Sequence, residues 1–121
     1  MRVERLPPDV VNQFAPGASE IPMVVYGAID GNVILACGGL AWMHGRCWVW
    51  VNVFADISGH TRLLLRWASR MMRQARQLGE KEVFVWRDEW HPSSSKLLEI
   101  VGFDLCGCDA ETGKEIFVCP V

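Results

Sequence analysis

The stretch Cys47 to Gly79, CWVWVNVFADISGHTRLLLRWASRMMRQARQLG, decides the fold. Its first eight residues hold two tryptophans, three valines and a phenylalanine, with only Asn52 strongly polar. A run without apolar/polar alternation predicts a central strand buried on both faces. Asp56, Ser58 and Thr61 can each accept a hydrogen bond from a helix-start N–H, and Gly59 admits backbone angles that other residues avoid. A helix is therefore expected from about His60 or Thr61. Along it Leu64, Trp67, Ala68, Met71, Ala75 and Leu78 recur at three- and four-residue spacing, which predicts a core-facing stripe. Arg62, Arg66, Arg70, Arg73 and Arg76 fall largely off that stripe, and Gly79 supplies the stop. Strand, turn and helix in this order place unpaired N–H groups beside a strand's carboxyl end, where an anion is stabilised.

Working outward, Pro22 to Ile29 and Val33 to Trp42 are apolar runs around Asp30, Gly31 and Asn32, the signature of a hairpin. Gly38 and Gly39 interrupt the second run, which implies a bulge or a close approach by another backbone. His44, Gly45 and Arg46 turn the chain into the central strand. Ahead of the hairpin, residues 1–20 form a short N-terminal segment in which Pro8 and Asp9 open a brief helix through Val10, Val11 and Phe14. Beyond Gly79, Glu82 to Trp86 reads as a strand parallel to the central one, because a helix separates the two. Pro92 suits the start of a second helix carrying Leu97, Leu98, Ile100 and Val101 and closed by Gly102. Phe103 to Cys108 and Ile116 to Val121 flank a polar turn and form a final hairpin. The expected class is α/β (α+β), a mixed, mainly antiparallel sheet with helices on its faces, built as one domain over 1–121 with its core in 21–121. Where the two parallel strands splay, near Asn52 to Phe54 and Trp86 to Asp88, a ligand cleft is expected.

Composition narrows the function classes. A chain of 121 residues, half of them hydrophobic, buries a core without staples. The net charge of −2 gives no overall pull towards nucleic acid, which speaks against it as a partner, and no apolar run is long enough to cross a bilayer. The start, MRVERLPPDV, lacks a signal-peptide core, so a cytoplasmic location is expected. Five cysteines, Cys37, Cys47, Cys106, Cys108 and Cys119, match no zinc-ligand spacing even with His44, His60 or His91. They are expected to be reduced and buried, with no metal. The five helix arginines have no acid among residues 60 to 79; set against the negative total, a solvated outer face is the plainer reading than a phosphate or nucleic-acid surface.

With these elements and the ending LLEIVGFDLCGCDAETGKEIFV, Leu97 to Val118, the chain resembles the GNAT acyl-CoA N-acyltransferases over roughly Pro22 to Cys119. The short N-terminal region and the WVWVNVF strand look most like small phage and prophage GNAT-like proteins. The resemblance implies an acetyl-CoA-dependent transfer of an acetyl group to a primary amine, with host cytoplasm as the location if phage-encoded. It also implies that the strand backbone at Val51, Asn52 and Val53 holds the acyl arm, and that Ser58, Gly59, His60, Thr61 and Arg62 cradle the pyrophosphate. The family's loop has spaced glycines where this chain has only Gly59, and Leu98 stands where a proton-donating tyrosine is common. His91 and Asp88 are the acid/base candidates near the cleft. The other reading is a non-catalytic protein of the same fold acting in binding or particle assembly. The family's habits also imply a homodimer, through an edge strand or the terminal hairpin with Ile116, Phe117 and Val118. The acyl acceptor is not specified by any motif.

Overall fold

In a computed structural model, residues 2–14, 21–55, 58–86 and 102–121 are described. The expected hairpin forms from β2 (Met23–Asp30) and β3 (Val33–Met43), and β4 (Arg46–Val53) follows through a two-residue turn. That turn puts both His44 and Gly45 at positive φ, 53° and 72°, the geometry that matches strand twist in a tight hairpin. β1 (Arg2–Arg5) adds to β2, α1 (Pro8–Phe14) follows it, and α2 (Thr61–Gln77) leads to β5 (Glu82–Trp86). β6 (Asp104–Cys108) and β7 (Glu115–Pro120) form the final hairpin. The seven strands make one sheet in the order β1-β2-β3-β4-β5-β7-β6, antiparallel except where β4 meets β5. β1 was not foreseen: four residues rich in charge show no strand pattern, and its pairing comes from the open edge of β2.

The glycines of β3 act through close approach. A Cβ on Gly39 would overlap the carbonyl oxygen of Val24, and one on Gly38 the carbonyl oxygen of Trp50. The register shift with β2 falls elsewhere on β3: Ala28 pairs Ala36 and Ile29 pairs Ile34, which leaves Leu35 as the extra residue.

Two apolar layers cover the sheet. On one face Trp67, Met71 and Ala75 of α2 pack with Tyr26, Ala28, Ala36, Leu40, Cys47 and Val83. On the other, Leu6 packs with Val25, Ile29 and Cys37, flanked by Val10 of α1 and by Trp50. Of the stripe read from the sequence, Trp67, Met71 and Ala75 are buried and Leu64 packs against them, while Ala68 is half-buried and Leu78 at its end is exposed. α2 stops as expected: Gly79 takes φ 91°, its N–H donates to the Arg76 carbonyl, and the Glu80 N–H donates to the Ala75 carbonyl. The Trp42 indole N–H then donates to the Glu80 carboxylate at 2.9 Å, tying this end to β3.

The cysteine expectation needs correcting. All five are free, but only Cys37, Cys47 and Cys119 are buried, while Cys106 and Cys108 are exposed. β6 is an edge strand with every residue exposed, so a thiol there has nothing to pack against. No helix among the described residues is long and apolar enough to cross a membrane. The expected second helix, from Pro92 to Val101, lies outside the described residues.

Candidate functional site

β4 and β5 run parallel, paired with Trp48 opposite Phe84. Around it the aromatic side chains lock the two strands together. Trp48 stacks on Trp86 with ring centroids 3.6 Å apart and planes 4° from parallel, and it meets Phe84 at 5.5 Å. The Trp48 indole N–H donates to the Met43 carbonyl, and the Arg46 guanidinium lies 4.5 Å over the Phe84 ring. Beyond this clamp, among the described residues, β4 is paired with β3 alone. Val51 and Asn52 are exposed, as is Phe54 just past the strand. The strand expected to be buried on both faces is therefore buried only in its first half. Its apolar second half borders the divergence of the two strands, which the composition of the run does not reveal.

Chain direction brings the start of α2 next. Ser58–His60 forms one turn of 3-10 helix, and His60 is the N-cap of α2 with no side-chain hydrogen bond to the helix. Asp56 lies outside the described residues. The first turn of α2 contains no acid, and its N-cap residue His60 supplies no side-chain hydrogen bond to the first N–H groups. These are the conditions under which a helix end attracts an anion. An open cavity of about 440 Å³ sits here, lined by Gly59, His60, Arg62, Leu63 and Arg66. Nothing lies within 4 Å of a Cβ placed on Gly59, so the backbone is accessible at that point. Arg62 is exposed, whereas Leu64 packs against the core and so turns away from the opening.

Of the residues singled out from the sequence, Val51, Asn52 and Val53 fall on β4, with Val51 and Asn52 past the clamp, and Ser58, Gly59, His60, Thr61 and Arg62 fall on the turn and first residues of α2. Gly59, His60 and Arg62 border the cavity itself. His91 and Asp88 lie outside the described residues. The sequence places Arg66, one helical turn beyond Arg62, only among five arginines read as a solvated outer face, and it does not reveal the Trp48–Trp86 clamp; the i to i+4 spacing of the two arginines is the signal that pairs them. Among the described residues no group of His, Cys, Asp and Glu could hold a metal ion.

No protein-family model matches the chain, and no curated protein does either. Solved structures do. An IAA acetyltransferase from Bacillus cereus is 18% identical and superimposes with a TM-score of 0.69, covering 99% of each chain. An N-acetyltransferase from Staphylococcus aureus is 10% identical with a TM-score of 0.71, over 98% of this chain and 96% of that one. A GNAT family acetyltransferase from Elizabethkingia anophelis, with acetyl-CoA bound, is 10% identical with a TM-score of 0.68, over 99% and 97%. At these identities the likeness establishes the architecture, and the mixed, mostly antiparallel sheet with α2 on its face is that of these enzymes.

Proposed function

With the acyl-CoA N-acyltransferase fold as premise, we propose that this chain binds acetyl-CoA between β4 and the start of α2 and transfers the acetyl group to a primary amine. The observation that carries the reading is the junction itself: β4, whose second half is exposed at Val51 and Asn52, is followed by a helix start with no acid in its first turn and an open cavity bordered by Gly59 and Arg62. The residues fit the ligand. Accessible backbone at Gly59 and the first N–H groups of α2 suit the pyrophosphate, with Arg62 and Arg66 adding charge. Near Val51 and Asn52, β4 pairs among the described residues with β3 alone, and its other edge suits the amide-bearing arm, since a strand edge offers alternating donors and acceptors.

In the transfer, the amine nitrogen attacks the thioester carbonyl, the carbon–sulfur bond breaks, and the nitrogen loses a proton. A β4 N–H directed at the carbonyl oxygen favours the charge that develops there. His91 and Asp88 remain the proposed acid and base, assigned by sequence position alone.

Calorimetric titration with acetyl-CoA and with CoA, at two salt concentrations, tests the proposal. Micromolar binding that weakens at least tenfold in Arg62→Ala is the expected result. Absence of heat at high protein concentration overturns it, and favours the second reading, a non-catalytic protein acting in binding or phage particle assembly. One observation supports that alternative: Leu63, a bulky side chain, lines the cavity where a phosphate would approach.

The family-derived homodimer is also kept as a proposal, but not through Ile116 to Val118. β7 lies inside the sheet between β5 and β6, and Phe117 is buried. An edge-to-edge dimer would use β6, where Leu105 is 59% exposed.

A further inference from the structure

α2 holds five of the 12 basic residues of the chain and none of its 14 acids. Arg62, Arg66, Arg70, Arg73 and Arg76 are all exposed. None forms an ion pair among the described residues; the ion pair found there joins Arg2 to Glu4 at the far edge of the sheet. At 100° per residue the five fall within an arc of about 120°, and they extend along about 21 Å of helix axis. Arg70 is held in place, its guanidinium 5.0 Å over the ring of Tyr26, whose hydroxyl donates to Gln74. An unneutralised row of like charges on one helix weakens that helix by self-repulsion. The total charge of −2 conceals this row.

We propose that the arginine face of α2 binds the phosphate backbone of a nucleic acid without reading its sequence. Three features select that partner. Every cation on the face is arginine and none is lysine, and planar guanidinium groups suit paired phosphate oxygens. The length of the row matches about six successive phosphates of one duplex strand. The side chains between the arginines that face outward are Ser69 and Gln77, so the face carries no exposed aromatic ring for stacking on bases. A second copy of the chain is a poorer fit, because a head-to-tail contact between an arginine face and an acidic patch elsewhere does not close into a symmetric pair. The proposal goes beyond acyl transfer and does not depend on it: Arg70, Arg73 and Arg76 lie outside the cavity at the start of α2.

Fluorescence anisotropy of a labelled mixed-sequence duplex of about 25 base pairs tests it, with salt varied from 50 to 200 mM. Engagement of all five arginines gives a slope of log affinity against log salt of about −4.5, which is roughly a 500-fold loss over that range. Arg73→Gln with Arg76→Gln is expected to reduce the slope to about −2.7 while acetyl-CoA titration and the melting temperature stay those of the unsubstituted protein. No anisotropy change at 50 mM salt with about 100 μM protein overturns the proposal, as does an unaltered slope in the double variant. Displacement of the duplex by polyglutamate of equal charge also overturns it, in favour of an acidic protein partner. The slope of the unsubstituted protein decides the matter even if the variant folds poorly. Failure of acetyl-CoA to bind leaves this result standing, so the two proposals fail separately.

Discussion

Single residues make opposite demands at the two glycine sites. Gly39 has no room for a methyl group, since Val24 backbone occupies its place, whereas Gly59 faces open space. Gly39→Ala is expected to destabilise the protein by at least about 3 kcal/mol or prevent folding, while Gly59→Ala changes stability by less than about 0.5 kcal/mol; urea unfolding measures both. The thiols divide just as sharply. At pH 8 a thiol reagent should modify Cys106 and Cys108 rapidly and Cys37, Cys47 and Cys119 only as fast as the protein opens. Burial, with the charge of Glu80 adding to it, pushes the Cys47 thiol up to about 11 from an ordinary value of 9.0. A raised folded value means that the associated stability is complete below about 9 and is lost as pH rises towards 11. Cys47→Ala should therefore flatten the alkaline fall in stability, in a series of melts from pH 8 to 11.

At the level of elements, α2 connects the core to the site. Its buried stripe fixes the helix against the sheet, and its first turn, which contains no acid, borders the cavity. Met71 is almost wholly buried and Leu78 is 55% exposed, although both belong to the same sequence pattern. Met71→Ala is expected to cost about 2–5 kcal/mol and Leu78→Ala less than about 1 kcal/mol, read from urea midpoints at constant slope. Periodicity predicts both residues as core because it registers angle around the helix and not where the sheet beneath it ends. The β4–β5 clamp has the same origin. Trp48 and Trp86 are 38 residues apart in the numbering, and each reads as strand packing until parallel pairing at Trp48 and Phe84 brings their rings face to face.

For the whole molecule, a ligand held between two elements should stabilise them together. Acetyl-CoA at about 100 times its dissociation constant adds about 2.7 kcal/mol, which for a chain of this size raises the melting temperature by roughly 10 °C. A thermal shift near zero at millimolar acetyl-CoA would sink the acyltransferase reading. The sequence by itself determined the order of β2, β3, β4, α2, β5 and the last hairpin, because hydrophobic period, turn glycines and helix stops are local properties of a chain. It also placed Gly59, His60 and Arg62 at the start of the helix that borders the cavity. Only the tertiary structure decided that a four-residue charged segment becomes β1, that β7 lies inside the sheet with β6 at its edge, and that half of the WVWVNVF run is exposed. Those outcomes depend on which strand edges remain open and on where neighbouring strands diverge, and both are set by contacts between residues far apart in the chain.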